Sequence, residues 1–197
     1  MVAEQELETG FPGLCCPVLT TERLVLRPPH PDDADELTRL ANNRRVAEML
    51  ARMPHPYTPR HAAEFIARNG GAESCTYAVT LAESGAFVGC AALDPAHDGN
   101  LVIGYWIGEP FWNRGFATEA AHALVDIAFR NSDVEVLHAS CRVLNIASRR
   151  VIHKCGFQYA GEGMIHSVAS GRVAVERYRL DRRTWVGLRS WNGAAVA

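Results

Sequence analysis

Lysine is almost absent from this chain: of its 20 basic residues only Lys154 is a lysine, and the others are arginines. This excludes the P-loop of nucleotide-binding proteins, G-x-x-x-x-G-K-[ST], because that loop needs a lysine directly after a glycine. The dinucleotide-binding pattern G-x-G-x-x-G after an early strand is missing as well. Two common phosphate-binding motifs are therefore excluded, and lysine chemistry is confined to one position.

The sequence also lacks a strong charge of either sign, since its formal net charge is -2 at pH 7. A nucleic-acid-binding face usually shows as a basic excess, so no nucleic-acid partner is expected. The longest apolar run, residues 101–107, is far too short to cross a bilayer. Acidic residues at positions 4, 6 and 8 stand where a signal peptide would be basic and then apolar. We therefore expect a cytoplasmic protein with no membrane partner.

The length and composition are those of one ordinary globular domain. With 197 residues, 48% of them hydrophobic, the chain is long enough to bury one substantial core. We expect that domain to span residues 19–182 and to act as a monomer or a homodimer. The extensions 1–18 and 186–197 show no periodic pattern and are expected to be poorly ordered.

The cysteines show no disulfide framework, and two of them are neighbours in the sequence. There are six: Cys15, Cys16, Cys75, Cys90, Cys141 and Cys155. In a chain without an export signal we expect all of them to be reduced. His138 and Cys141 are only three residues apart, but the alternation in 134–143 places them on opposite faces of a strand. We therefore expect no metal site.

Hydrophobic periodicity and turn residues predict alternating strands and helices, an α/β (α+β) fold. A strand buried on both faces is expected at 100–108, because its apolar residues are uninterrupted. The other expected strands are 22–30, 75–82, 86–93, 134–144, 157–161 and 172–180, and the expected helices are 31–43, 44–52, a segment after Pro59, 117–130 and 145–155.

The stretch WNRGFATEA, residues 112–120, places a glycine just before an alanine-rich helical pattern. A helix N-terminus offers unpaired backbone N–H groups and the positive end of the helix dipole. An oxyanion can approach them closely only where side chains are small, as at Gly115 and Ala117. The pattern favours phosphate or pyrophosphate binding, although a plain glycine turn before a core helix fits the same residues. We expect a side chain at Gly115 to weaken binding and to leave folding largely intact.

Two motifs, IGYWIGEPFWNRGFATEA at 103–120 and NIASRRVIHKCGF at 145–157, resemble those of the GNAT superfamily of N-acetyltransferases. The chain is most similar to the RimJ/RimL-like branch, the ribosomal-protein N-terminal acetyltransferases. The resemblance implies the GNAT fold, a mixed, mostly antiparallel central sheet flanked by helices, with a cleft between strands 100–108 and 134–144. It also implies acetyl-CoA as co-substrate and a primary amine as acceptor, either a protein N-terminal α-amine or a small-molecule amine.

The resemblance further implies which residues bind acetyl-CoA. In the family a turn binds the pyrophosphate through backbone amides. The matching positions here are Trp112, Asn113, Arg114, Gly115, Phe116 and Ala117, followed by Thr118. Trp106 and Ile107 would pair their backbone with the pantetheine arm like an added strand. Asn145 matches an asparagine that reaches this arm, and it also fits a plain helix N-cap; both roles can hold at once.

Many superfamily members use a tyrosine seven residues after this asparagine as general acid, but that position is Ile152. Ser148 is therefore the candidate acid, with a plain first-turn serine as the alternative. Glu109 is the candidate base, with a solvated loop acid as the alternative; His166 and Glu176 are held in reserve.

Glu119 is assigned to structure, as an acidic residue in the first turn of a helix. Two other classes of function stay open. Because the tyrosine acid is missing, the chain could be a CoA-binding module without catalytic turnover. Because a glycine turn before a helix is common, it could also be an unrelated phosphate-binding domain.

Overall fold

The computed structural model describes residues 17–70, 75–96 and 98–194. Its strands are β1 (Leu19–Thr20), β2 (Leu24–Arg27), β3 (Thr76–Leu81), β4 (Phe87–Pro95), β5 (Leu101–Ile107), β6 (Val136–Arg142), β7 (Gln158–Ser167) and β8 (Gly171–Asp181). Its α-helices are α1 (Ala34–Ala41), α2 (Arg44–Ala47), α3 (Pro59–Asn69), α4 (Phe116–Asn131), α5 (Ile146–Lys154) and α6 (Arg182–Ala194). Short 3-10 turns cover Pro31–Asp33 and Glu109–Phe111.

All eight strands lie in one sheet with the order β1-β2-β3-β4-β5-β6-β8-β7. Every neighbouring pair is antiparallel except β5 and β6, which run parallel. The predicted mixed, mostly antiparallel sheet is therefore confirmed. The expected strands 75–82 and 86–93 form a hairpin, β3 and β4, across residues 83–85.

The parallel pair β5–β6 is joined only at its beginning. Leu101 pairs with Leu137 and Val102 with His138, and no later residue of β5 pairs with β6. In contrast, all seven residues of β5 pair with β4 on the other side. The two central strands therefore splay apart after Val102, which confirms the predicted cleft between them.

Helices pack on both faces of the sheet. Successive strand residues point to opposite faces, so each face carries its own apolar side chains for helices to cover. On β3, Tyr77 and Val79 join a core cluster that includes residues of α4, such as Leu124. Ala78, between them, joins a second cluster with residues of α1 to α3, such as Leu40. Among the helices of the described part of the chain, none is long and apolar enough to cross a membrane.

Helix α6 differs most from the expectation, since it continues to Ala194, into the stretch expected to be poorly ordered. Its first turns are held by distant residues. The Trp185 ring stacks on Phe129 at 5.2 Å, and its indole N–H donates to Asp126 at 3.0 Å. Such long-range contacts leave no periodic signal in the local sequence. The predicted extension 1–18 lies almost entirely outside the described residues.

Two further element predictions need correction. The helix expected at 44–52 ends at Ala47, where its hydrogen bonds tighten: the Met49 and Leu50 N–H groups donate to the Val46 and Ala47 carbonyls, only three residues back. The carbonyls of Leu50 and Ala51 then accept hydrogen bonds from Ser167 and Val168. Strand β7 runs to Ser167, beyond the expected 157–161. Much of it is exposed on both faces, so its hydrophobic alternation is weak.

The state of the cysteines was predicted correctly at three of the described positions. Cys90, Cys141 and Cys155 are free thiols. Cys75 is disulfide-bonded, so the expectation that every cysteine is reduced is wrong for this residue. Cys15 and Cys16 lie outside the described residues.

Candidate active site

The cleft between β5 and β6 is the centre of the candidate site. It has a volume of about 2510 Å³. One wall is formed by β5 and the turn into α4, and the other by the end of β6 and the start of α5. Of the predicted site residues, those lining it are Trp106, Ile107, Trp112, Asn113, Gly115, Phe116, Ala117, Thr118, Asn145 and Ser148.

The turn into α4 has the geometry of an anion-binding site. Asn113 and Gly115 both have positive φ, 61° and 85°, which Asn tolerates and Gly adopts freely. The first intrahelical bond is donated by the Glu119 N–H to the Gly115 carbonyl, at 3.1 Å. The preceding N–H groups, those of residues 116–118, therefore have no intrahelical acceptor. No side chain of the described residues caps this helix, so these donors are free to meet a ligand in the cleft.

Glu119 holds this turn from behind. Its carboxylate accepts the Thr21 hydroxyl at 2.6 Å and the Arg23 backbone N–H at 2.8 Å, and it forms an ion pair with the Arg23 guanidinium at 2.7 Å. Burial raises the pKa of Glu119, but these hydrogen bonds and the positive charge outweigh it, and the net pKa is lowered. Arg23 also donates to the Arg114 carbonyl at 3.0 Å. The predicted structural role of Glu119 is confirmed by these contacts.

The two tryptophans of the motif have separate tasks. The Trp112 indole N–H donates to the Ile107 carbonyl at 2.6 Å, which fastens the turn to the end of β5. The Trp106 ring packs against Phe87 at 6.2 Å, on the α1–α3 face of the sheet. Because β5 has no strand partner on the β6 side after Val102 in the described structure, the backbone edge of residues 103–107 faces the cleft.

Asn145 is the N-cap of α5. Its side-chain oxygen accepts the Ser148 backbone N–H at 3.0 Å, as a helix-capping asparagine should. The capping role is therefore realised, and the side-chain NH₂ group is left to serve a ligand. The contact of Asn145 with the CoA arm stays a prediction.

The Ser148 hydroxyl meets a residue that the sequence analysis did not single out. Its Oγ lies 3.0 Å from the phenol oxygen of Tyr105, which projects from β5 across the cleft. Both residues line the cleft. Ile152, at the position where many superfamily members carry the tyrosine acid, is 1% exposed and belongs to the core. A tyrosine hydroxyl is therefore present beside the first turn of α5, but Tyr105 supplies it from β5 and not from α5 itself.

The other candidate proton carriers lie outside the cleft lining. The Glu109 carboxylate accepts the Asn43 side-chain N–H at 2.6 Å and forms an ion pair with Arg45. Glu176 is bound by Tyr178 and Arg149, both at 2.7 Å, which hold its pKa below its ordinary value. Glu176 is therefore poorly suited to take up a proton near neutral pH. His166 is exposed on β7.

The remaining predictions on ligands concern Arg114 and metals. Arg114 does not line the cleft; its guanidinium lies 5.8 Å from the centre of the Phe111 ring. In the described part of the chain, no group of three or more His, Cys, Asp and Glu side chains is arranged to hold a metal ion. His138, which was considered together with Cys141 as a metal ligand, has its Nε2 atom 2.8 Å from a carboxylate oxygen of Asp98.

The profile of the acetyltransferase (GNAT) domain family matches residues 23–158. The chain belongs to the GNAT family. It is similar to p20, an uncharacterized N-acetyltransferase of Bacillus licheniformis, with 25% identity over 176 residues, 86% of this chain and 98% of that protein. These two findings confirm the predicted GNAT membership and identify this GNAT chain as an acetyl-CoA-dependent N-acetyltransferase.

Solved structures share the GNAT fold. The microcin C7 self-immunity acetyltransferase MccE, solved with acetyl-CoA and AMP, aligns with a TM-score of 0.71 at 19% identity, covering 82% of this chain and 93% of that one. RimL, the ribosomal L7/L12 α-N-protein acetyltransferase solved with coenzyme A, aligns with a TM-score of 0.64 at 20% identity, covering 85% and 97%.

Sequence reasoning missed four residues at this GNAT site. Tyr105 lies inside the quoted motif, but only the fold shows that its hydroxyl reaches Ser148. Arg23 lies about ninety residues from the turn that it supports, and no local pattern reports such a contact. Arg150 and Lys154, one helical turn apart on α5, both line the cleft, and their i, i+4 spacing was the available signal.

Proposed function

We propose that this GNAT enzyme moves the acetyl group of acetyl-CoA to a primary amine by direct attack in a ternary complex. The observation that carries the proposal is the free N-terminus of α4, which opens into the same cleft as the unpaired edge of β5. Together they provide N–H donors for phosphate oxygens and a strand edge for an extended arm.

The residues present fit coenzyme A. The N–H groups of residues 116–118 would hold the pyrophosphate, because they have no intrahelical acceptor and no side-chain cap in the described structure. Backbone groups alternate between the two edges of a strand, and the Gly108 N–H bonds Val88 of β4, so the backbone of Trp106 points to β4 and that of Ile107 to the cleft. The Ile107 N–H would therefore pair with the pantetheine arm, and the Asn145 NH₂ group, for which the described residues show no partner, would donate to it. Arg150 and Lys154 line the cleft and have no carboxylate partner among the described residues. We assign these two cations to the third phosphate of coenzyme A, the 3′-phosphate.

Acetyl-CoA supplies a reactive thioester when bound, and the chain's side chains manage the protons. Ser148 lines the cleft and is the proposed donor to the departing thiolate. A thiolate with a pKa of about 8.5 needs only modest help from an acid. Glu109 stays the proposed base. Because its carboxylate does not line the cleft, it would draw the amine proton through intervening water.

We propose the α-amine of a protein N-terminus as the first acceptor to test and a small-molecule amine as the second. The cleft volume of about 2510 Å³ supports this order. Sites for small ligands usually measure about 300–1,000 Å³, so this cleft has room for an extended peptide beside the co-substrate. The fold relative RimL is an α-N-protein acetyltransferase, which supports a protein N-terminus as the first acceptor to test.

The test is release of free CoA thiol from acetyl-CoA by the purified chain. Acceptors are a peptide with a free N-terminal serine, the same peptide with its N-terminus already acetylated, and a set of small primary amines. We expect thiol release with the free peptide and none with the blocked one. Release with small amines alone would replace the proposed acceptor. Binding of CoA without release for any amine would leave the alternative, a CoA-binding module without turnover.

A further inference from the structure

The hydroxyl of Tyr105 is held where it can control Ser148. Its oxygen lies 3.0 Å from Ser148 Oγ and 3.4 Å from the Ser148 carbonyl oxygen. Tyr105 extends from β5, whereas Ser148 lies in the first turn of α5, so the contact bridges the two walls of the cleft. It is a side-chain contact across the opening between splayed strands, directly where the proposed chemistry takes place.

The phenol of Tyr105 carries a single hydrogen for its two contacts with Ser148. The 3.0 Å contact to Oγ is the shorter one, and a phenol is a stronger acid than an aliphatic hydroxyl, so we assign the phenol as the donor and Oγ as the acceptor. Burial raises the pKa of the Tyr105 phenol, and the hydrogen bond with Ser148 only partly opposes this, so the phenol stays protonated at neutral pH. Asn145 meanwhile accepts the Ser148 N–H and holds its backbone. The Ser148 hydroxyl hydrogen is then free to point into the cleft.

We propose that Tyr105 is a positioning residue for acetyl transfer: it donates to Ser148 Oγ and so directs the serine hydroxyl hydrogen at the departing CoA sulfur. This inference rests on the proposed function, in which Ser148 is the acid. As the thioester carbon–sulfur bond breaks, the Ser148 hydroxyl proton passes to sulfur. The phenol hydrogen bond stabilises the alkoxide that develops on Oγ, and solvent in the open cleft returns the proton to Ser148 after the product leaves.

The test compares Tyr105→Phe with a matched control, Tyr178→Phe. Tyr178 is also a buried tyrosine whose hydroxyl donates a hydrogen bond, to Glu176, but it does not line the cleft. With acetyl-CoA and the serine peptide, we expect Tyr105→Phe to lower kcat about tenfold and to change the acetyl-CoA KM by less than about twofold. Tyr178→Phe should keep the wild-type kcat.

The decisive measurement is the double variant Tyr105→Phe/Ser148→Ala. If Tyr105 acts through Ser148, the phenol has nothing to direct once the serine hydroxyl is gone. The double variant should then match Ser148→Ala alone within about twofold, instead of showing the product of the two losses. A merely structural role would lower the melting temperature of Tyr105→Phe and leave its kcat unchanged.

The outcomes separate this inference from the proposed function. A wild-type kcat in Tyr105→Phe, alongside a reduced kcat in Ser148→Ala, would overturn the role of Tyr105 alone. Independent, multiplying losses would also overturn it, since Tyr105 would then act apart from Ser148. A wild-type chain without turnover on any acceptor would overturn the proposed function together with this inference.

Discussion

The most informative perturbation is a single methyl group at Gly115. This residue has a φ of +85°, and a Cβ built there would lie 3.2 Å from the Arg23 guanidinium. Forcing an L-residue into the left-handed region costs about 1–2 kcal/mol. For a chain of this size, that corresponds to a fall in melting temperature of about 2–8 °C. The variant should therefore still fold, as expected from the sequence, but melt a few degrees lower.

Gly115→Ala should weaken CoA binding by more than this backbone strain explains. A Cβ at position 115 would press on the Arg23 guanidinium, which holds the turn through the Arg114 carbonyl. We therefore expect the turn to shift and at least one hydrogen bond from the N–H groups of residues 116–118 to a phosphate oxygen to be lost. A hydrogen bond to a charged group contributes about 1.5–3 kcal/mol. Gly115→Ala should therefore weaken CoA binding by about ten- to a hundredfold.

A matched control separates strain from binding. Gly85, in the β3–β4 turn, also has a positive φ, +71°, and a Cβ there meets nothing within 4 Å. Gly85→Ala should lower the melting temperature by a similar amount and leave the CoA affinity unchanged. Calorimetric titration with CoA and thermal melts of both variants give the comparison. Equal CoA affinities in the wild type and in Gly115→Ala would refute the placement of the pyrophosphate on this turn.

Four further predictions concern side chains around the cleft. Asn145→Ala should cost about 1 kcal/mol of stability in a denaturant melt, since it removes the cap of α5. Ser148→Ala should lower kcat about ten- to a hundredfold with little change in the acetyl-CoA KM; an unchanged kcat in the folded variant ends its role as acid. The lowered pKa of Glu119 means that it stabilises the fold above its ordinary value of 4.5 and that this contribution is lost as the pH falls through the folded value. Glu119→Gln should therefore be less stable than the wild type at neutral pH, and this difference should vanish in acid melts. Glu109→Gln should lower kcat/KM about tenfold if Glu109 is the base. An unchanged kcat/KM would refute this role and show that Glu109 serves only to bind Asn43 and Arg45.

The fold was predictable where the chain's local pattern and its tertiary environment agree. The uninterrupted apolar run of β5 and the glycine before α4 predict a strand and a helix start, and the structure contains both. The strand is not buried on both faces as expected, since four of its seven residues are half-buried where it borders the cleft. Helix α6 was not predictable, because its stability comes from contacts such as Trp185 on Phe129 and not from its own periodicity. Helix α2 was predicted too long because the segment after it passes into i→i+3 turns and its Leu50 and Ala51 carbonyls bond to Ser167 and Val168, contacts that the local pattern does not report.

The candidate site was predictable in its backbone part and not in its side-chain part. The small residues of the turn point directly to main-chain phosphate binding, which needs no partner from elsewhere. The partners of Ser148 and Glu109 come from distant segments. Tyr105 lies forty-three positions before Ser148, and Asn43 lies sixty-six before Glu109. Only the three-dimensional arrangement shows that the first pair lies in the cleft and the second outside its lining.

A structure of this chain with CoA bound tests the central claim most directly. The account predicts pyrophosphate oxygens within about 2.7–3.2 Å of the backbone nitrogens of residues 116–118. It also predicts the pantetheine arm along the free edge of β5, with its sulfur beside Ser148 Oγ. Phosphates bound away from the α4 N-terminus, or an arm outside the β5–β6 cleft, would contradict it.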